Sequence, residues 1–255
     1  EIGKEWVIVK AVTMTALAGA GSTVNAASYT TASQAPTGDL LQLAAVSSVI
    51  TGGPAPAAGP ALTGNGVTWV SVSSQTVDIG RVTVFRGMVA SPIAGTNLID
   101  FGAETQSGCN WSFAEFDGVD TTGTNGSGAV VQSVSATTTA ATSLTVTLGA
   151  FGSTDNATYG AFLKEGGTDE TQTVGTGFTS VANPTHVGPV EGLLTEWRVD
   201  NDTSVDASTT NAADWRGIAV EIKASTSAQM PPGLGPALGE FLERGLSQFA
   251  TLLRF

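Results

Sequence analysis

The chain has 255 residues, of which 41% are hydrophobic, so it is long and apolar enough to enclose a sizeable core in one main domain. Only 13% of the residues are charged, about half the usual ~25%, so the polar surface must be built from Ser, Thr, Asn, Gln and Gly. The 22 acidic and 10 basic residues give a net charge of −12, which argues against nucleic acids and anionic membranes as partners.

Cys109 and His186 are the single cysteine and the single histidine of the chain. One cysteine cannot form an intrachain disulfide, and a zinc site needs three or four ligands, so neither feature is predicted. His186 is predicted to lie in a loop because a proline closely precedes it. No P-loop, G-x-G-x-x-G, G-x-S-x-G or H-E-x-x-H motif is present, and no run approaches the ~18 apolar residues that span a bilayer.

Residues 1–27 are predicted to form an N-terminal strand or extended arm. Trp6, Ile8 and their β-branched neighbours fit the start of a strand. The run at 6–20 also has the small apolar residues of a signal peptide, but Lys10 interrupts it, which favours the strand.

Residues 28–226 contain short runs in which apolar and polar residues alternate. The clearest predicted strands are 40–46, 67–74, 81–90, 110–116, 143–151, 157–164, 193–199 and 217–224. In the last of them Ile218, Val220 and Ile222 share one face, whereas Glu221 and Lys223 are predicted to face water. A period of two with one wet face is typical of antiparallel sheets, and no alternation of strands with helices is visible. We therefore predict an all-β antiparallel sandwich, whose second and third strands form a hairpin.

A face with aromatic and acidic side chains is predicted at the strand 110–116. Trp111, Phe113, Glu115 and Asp117 occupy alternate positions and so point the same way, as a sugar cleft would require. The string EFDGVD, residues 115–120, resembles the E-x-D-x-x-E signature of laminarinase-type glycoside hydrolases, with an aspartate where that family has its acid/base glutamate. This resemblance implies a jelly-roll hydrolase or carbohydrate-binding module in which Trp111, Glu115 and Asp117 contact a glycan.

A second resemblance covers residues 28 to 224. It is carried by "TASQAPTGDLLQLAAVSS", "WSFAEFDGVDTTGTNGSGAVVQS", "TSLTVTLGAF" and the closing "LLTEWRVDNDTSVDAS" and "WRGIAVEIKA". These segments look like a jelly-roll module of bacteriophage virion proteins and bacterial surface proteins, which are mostly non-catalytic. The resemblance implies a jelly-roll sandwich in which Glu115 bonds backbone amides of a loop and Gly118 supplies a left-handed turn.

An acidic run follows the strand at 193–199. Asp200, Asp202, Ser204 and Asp206 stand at alternate positions, and their oxygens are ligands that calcium accepts. The run does not fit an EF-hand, because Val205 stands where that loop needs glycine. The alternatives are a polar hairpin loop and a calcium site made by Asp200, Asp202 and Asp206; no other cofactor is predicted.

Residues 227–255 are predicted to form a Pro/Gly linker and an amphipathic helix. The apolar stripe of that helix recurs at three- and four-residue steps and consists of Leu238, Phe241, Leu242, Leu246, Phe249 and Leu252. Gly245 weakens the helix, so it needs a partner surface. That surface is either the helix's own domain or a neighbouring subunit, in which case the segment is an assembly arm.

Together these features predict a non-enzymatic virion structural protein, either a capsid decoration or a tail or fibre component of a bacteriophage. It would assemble as a homo-oligomer and with other virion proteins through its terminal arms. The alternative is a secreted or cell-surface carbohydrate-binding module or jelly-roll glycoside hydrolase that acts on surface glycans. The low charge, the Ser/Thr-rich strands and the missing catalytic motifs favour the structural role over the enzyme.

Overall fold

The structure is a computed structural model that describes residues 10–57 and 59–226. These residues form strands and no helix, so none of them belongs to a helix that could cross a membrane. The strands are β1 Thr13–Ser22, β2 Ser28–Thr30, β3 Leu41–Val49, β4 Ala61–Gly64, β5 Val70–Val77, β6 Gly80–Gly87, β7 Asn97–Asp100, β8 Gly108–Asp117, β9 Val130–Thr147, β10 Ala157–Glu165, β11 Thr173–Val174, β12 Thr179–Ala182, β13 Thr185–Val187, β14 Val190–Arg198 and β15 Ser204–Ile222.

Two large antiparallel sheets make up most of the fold. The first sheet has the order β1-β8-β3-β6-β5. The second has the order β11-β15-β10-β14-β12, with β9 also pairing with β15 and β13 with β14. Alternate residues of both sheets point into a shared core, which buries, for example, Leu43 and Phe116 of the first sheet and Leu163 and Val220 of the second. Because this core unites both inner faces, the two sheets pack as a sandwich.

A small third sheet, β2-β7-β4, covers the outer face of the first sheet. Tyr29, Leu62 and Ile99 of the small sheet pack with Trp111 and Phe113 of β8. The central strands β3 and β8 are therefore buried on both faces, because each lies between the main core and the small sheet.

The outer face of the second sheet is covered by the chain's own long strands. The pairing of β9 with β15 loses its regular register between Ser208 and Ala213, and the segments beyond the break fold back over the sheet. These segments, residues 143–147 and 204–208, are named here the folded ribbon. Its apolar side chains, Leu144, Val146 and Val205, form a third core with residues of β10, β14 and β15.

Two glycines allow the folded ribbon to approach the sheet closely. A Cβ atom on Gly217 would lie 2.8 Å from Cγ2 of Val146 and 2.9 Å from Cδ2 of Leu144. A Cβ atom on Gly160 would lie 2.7 Å from Cγ1 of Val205. Since real Cβ atoms do not come that close to other heavy atoms, the ribbon rests in space that the missing side chains leave.

The all-β antiparallel prediction is confirmed, and so is the hairpin, which β5 and β6 form with a turn at Asp78 and Ile79. The predicted strands 143–151 and 217–224 overlap only the final residues of the much longer β9 and β15, which end at Thr147 and Ile222. The prediction that Glu221 faces water is wrong: its side chain is buried on the outer face and accepts hydrogen bonds from Asn156 and Gln132. The predicted strand at Trp6 and Ile8 and the predicted C-terminal helix lie outside the described residues.

Candidate functional site

The corner at the end of β8 contains the carboxylates that the sequence offers for catalysis. Glu115 is buried, and Thr37 donates to both of its oxygens: the backbone N–H to Oε2 at 2.7 Å and the hydroxyl to Oε1 at 2.9 Å. Gly118 has a φ of 73°, which places it in the left-handed region where glycine is favoured. Both observations agree with the prediction of a carboxylate that bonds a loop amide beside a left-handed glycine. These hydrogen bonds attach the loop before β3 to β8, the strand to which Glu115 belongs.

The aromatic residues beside Glu115 are covered. Trp111 is 6% exposed and packs against Tyr29, with ring centroids 6.5 Å apart. Phe113 is buried and contacts Trp69 edge-on at 5.7 Å. A sugar ring stacks on an exposed aromatic face. Because Trp111 and Phe113 are covered by other side chains, the geometry does not favour a glycan-binding surface formed by Trp111, Glu115 and Asp117.

Asp120 occupies the position that corresponds to the hydrolases' acid/base residue. Its carboxylate lies 2.6 Å from Nζ of Lys223 and accepts the backbone N–H of Thr122 at 2.7 Å. The hydrogen bonds from Lys223 and Thr122 lower the pKa of Asp120 to about 2. A general acid needs a raised pKa, because it must hold its proton until the leaving group takes it. A lowered pKa leaves Asp120 ionised at neutral pH, which does not suit the role of a general acid.

Two aspartates of the acidic run after β14 bind an arginine. Arg198 donates to Asp200 at 2.7 Å through Nε and to Asp202 at 2.7 Å through Nη1, and its guanidinium lies 5.8 Å from the centre of the Phe178 ring. Within the described ranges, no cluster of three or more His, Cys, Asp or Glu residues could hold a metal ion. Asp206 lies apart from this clamp, on β15 opposite Thr145. The acidic run therefore lies in a polar loop, and this geometry fits a polar loop better than the calcium site. The loop is not the predicted hairpin, because β14 and β15 both pair with β10, which lies between them.

Removal of calcium should leave the stability unchanged. An ion that binds only the folded state stabilises it by mass action, but Arg198 already occupies the carboxylates that would bind the ion. We expect the same melting temperature with a chelator and with added calcium. A melting temperature that falls in chelator and recovers with calcium would show that the folded protein binds calcium.

One polar cluster lies inside the sandwich, and sequence reasoning missed it. The hydroxyl of Ser47 donates to Glu191 across the gap between the sheets at 2.5 Å, and Nε2 of His186 lies 3.3 Å from the other oxygen of Glu191. Nδ1 of His186 lies 2.7 Å from the carbonyl of Pro189. Burial lowers the pKa of His186, but the hydrogen bond and the charge of Glu191 outweigh burial, so the pKa is raised overall.

Ser47 and His186 do not form a catalytic pair of nucleophile and general base. The carboxylate of Glu191 stands between Ser47 and His186, so the imidazole does not accept the serine proton. Ser47 and Glu191 are buried as well, so a substrate could not reach them. The prediction that His186 lies in a loop is wrong, since it belongs to β13 and is almost fully buried. Its partner Glu191 follows on the next strand, β14, after a short turn.

Two further buried carboxylates lie in the second sheet. Burial raises the pKa of Glu165 to about 7, although Arg216 lies 2.8 Å away and opposes that rise. Burial raises the pKa of Glu196 to about 8, and the charge of Asp206 adds to the rise, while a hydrogen bond from the N–H of Gly175 opposes it. Both carboxylates are buried among the chain's own strands, so we expect them to affect the stability of the fold and not to contact a substrate.

The residues proposed for assembly, Leu238 through Leu252, lie outside the described residues, and that prediction stays a prediction. The chain matches no protein-family model, no curated protein and no solved structure.

Proposed function

We propose that the chain is a non-enzymatic structural protein of a virion, a capsid decoration or a tail or fibre component, which assembles with copies of itself and with other virion proteins. One observation carries the proposal: four of the carboxylates that the sequence offers for chemistry bond other parts of the chain and so stabilise the fold. Glu115 bonds Thr37, Asp120 pairs with Lys223, and Asp200 and Asp202 clamp Arg198.

The chemistry of the surface also supports a structural role. The protein has few charges for its size, and long exposed strand segments consist of Ser, Thr and Ala, as in residues 135–143. Such a surface has few charged side chains that could bind a charged substrate. It suits contacts between rigid protein subunits, which depend on shape and backbone hydrogen bonds.

Deletion of residues 228–255 tests the proposed assembly. Burial of a Leu or Phe side chain contributes about 1.5–3 kcal/mol, so the stripe from Leu238 to Leu252 favours a partner surface over water. We expect the truncated chain to stay folded, with an unchanged melting temperature, and to be missing from particles assembled in its presence. The full-length chain should be found in purified particles at a fixed copy number by mass spectrometry.

Two outcomes would count against this proposal. If the full-length chain is absent from particles, it is not a virion component. If the truncated chain unfolds while the full-length chain is monomeric, the helix belongs to its own core and is not an assembly arm.

A further inference from the structure

Two turns of the chain share the same backbone conformation and the same central residues. The sequence contains two Asn-Gly pairs, Asn65–Gly66 and Asn125–Gly126. The φ angles are 54° and 68° in the first pair and 52° and 75° in the second. In both turns the N–H of the residue after the glycine donates to the carbonyl of the residue before the asparagine, at 3.0 Å. Both are therefore tight turns with two left-handed central residues, a conformation that asparagine and glycine favour.

The fold holds the side chain of Asn65 in place. This residue is 6% exposed, and its amide nitrogen donates to the carbonyls of Ile93 at 2.9 Å and Gly95 at 3.1 Å. Its amide oxygen accepts a hydrogen bond from the side chain of Asn97. Rotation of the Asn65 amide would break these hydrogen bonds in a buried place, which is costly.

The side chain of Asn125 is not held in this way. Asn125 is partly exposed and directly follows the four exposed residues 121–124. Arg86 donates to the backbone carbonyl of Asn125 at 2.9 Å, but the side-chain amide of Asn125 has no hydrogen-bond partner among the described residues. This amide can therefore rotate without breaking a hydrogen bond to the protein.

The fold also requires the glycine at position 126. Its φ of 75° would strain any other residue, and a Cβ atom there would lie 2.8 Å from Cδ1 of Leu41. Because it is a glycine, residue 126 has no side chain that could shield its backbone nitrogen from the preceding amide. The fold thus keeps a labile asparagine next to a glycine in an accessible loop.

We propose that Asn125 is a site of spontaneous deamidation in the folded protein, whereas Asn65 is protected. The backbone nitrogen of Gly126 attacks Cγ of Asn125 and forms a new C–N bond, which closes a succinimide ring. The side-chain nitrogen leaves as ammonia and takes the proton of the attacking nitrogen. Water then adds to either carbonyl carbon of the ring, and its proton goes to the ring nitrogen as the ring opens. The products are aspartate and isoaspartate.

The reaction changes the charge of the loop. It adds one negative charge next to Arg86, whose guanidinium has no carboxylate partner within the described ranges. An ion pair with Arg86 offsets the repulsion from the protein's net charge of −12, so the modified chain should stay folded. The reaction needs only the chain and water, so it does not depend on the proposed function.

Peptide mapping by mass spectrometry measures the two sites separately. Cleavage after Lys and Arg places Asn65 in residues 11–81 and Asn125 in residues 87–164, and fragment ions assign the modified residue. The full-length chain is incubated at mildly alkaline pH, which favours loss of the proton from the attacking nitrogen. In the folded chain we expect Asn125 to lose its amide about tenfold or more faster than Asn65, because only Asn65 must first break buried hydrogen bonds. Isoaspartate should be present at position 125, since direct hydrolysis of the side-chain amide gives aspartate alone.

The same chain unfolded in denaturant is the matched control. Without the fold, Asn65 and Asn125 are both followed by glycine and should react at similar rates. Asn125→Gln is a second control, because the longer glutamine side chain closes a ring much more slowly. This variant should keep the melting temperature of the wild type and show no deamidation at position 125.

Three results would overturn the proposal. Equal rates for Asn65 and Asn125 in the folded chain would mean that the hydrogen bonds of Asn65 do not protect it. If Asn125 keeps its amide in the folded chain over the period in which the unfolded chain is fully converted, the loop does not permit the attack. A product at position 125 that is aspartate alone would exclude the succinimide ring. None of these results bears on whether the chain is found in particles, so the structural role is tested separately.

Discussion

Replacement of Gly217 by alanine should lower the free energy of unfolding by about 1–3 kcal/mol, and replacement of both Gly217 and Gly160 should lower it further. The new methyl group at 217 meets Val146, Leu144 and Phe162, each at less than 3.0 Å, so the folded ribbon must move away from the sheet. Such a shift opens the third core, in which Trp215 is also buried. Denaturant unfolding measures the loss.

A second substitution can show that the ribbon contact is the cause. Val146→Ala in the Gly217→Ala background removes the methyl groups that collide, so part of the lost stability should return. Gly152→Ala is the matched control, because Gly152 is exposed and a Cβ atom there meets nothing within 4 Å. If the two substitutions add independently, without a coupling of about 0.5 kcal/mol or more, the ribbon does not rest on Gly217.

Much of the fold could be predicted from local alternation, because most strands of the two large sheets show it over part of their length. The central strands β10 and β14 were predicted to within a few residues, as was β8 with its corner at Gly118. The strands of the small sheet were missed, since three or four residues are too few for a period of two to be recognised. The length of β9 was missed because its middle, residues 135–143, is Ser, Thr and Ala throughout.

The buried charges could not be predicted, for a physical reason that β14 illustrates. Its residue Leu193 points into the main core and Leu194 into the core beneath the folded ribbon, so both faces of the strand are buried. Where both faces are buried, alternation no longer separates the inside from the outside. The sequence pattern therefore gives no sign that Glu191 and Glu196 are buried, although both side chains are enclosed. The cover comes from the opposite sheet and the ribbon, which are distant in sequence.

The two raised glutamate pKa values determine how stability depends on pH. An unfolded glutamate releases its proton near pH 4.5, whereas folded Glu165 and Glu196 hold theirs until about pH 7 and about pH 8. Between these values the folded state binds more protons than the unfolded state, so stability falls as the pH rises. The raised pKa of His186 acts in the same direction, because its favourable charge is lost as the pH rises through the folded pKa. We therefore expect a higher melting temperature at pH 5 than at pH 9.

Glu196→Gln should remove a large part of this dependence. The side chain is fully buried, Oε2 accepts the N–H of Gly175 at 2.9 Å, and Oε1 has no hydrogen-bond partner among the described residues. Glutamine keeps an acceptor for Gly175 and carries no charge at any pH, so the variant should be more stable than the wild type at pH 9 by about 1–3 kcal/mol. At pH 5, where Glu196 is protonated, the two should differ little. Asp155→Asn, which removes an exposed carboxylate, is the control and should leave the pH profile as it is. Melting curves from pH 5 to pH 9 provide the measurement. If the melting temperature of Glu196→Gln depends on pH as steeply as that of the wild type, Glu196 is ionised in the folded protein, and its burial does not cause the pH dependence of stability.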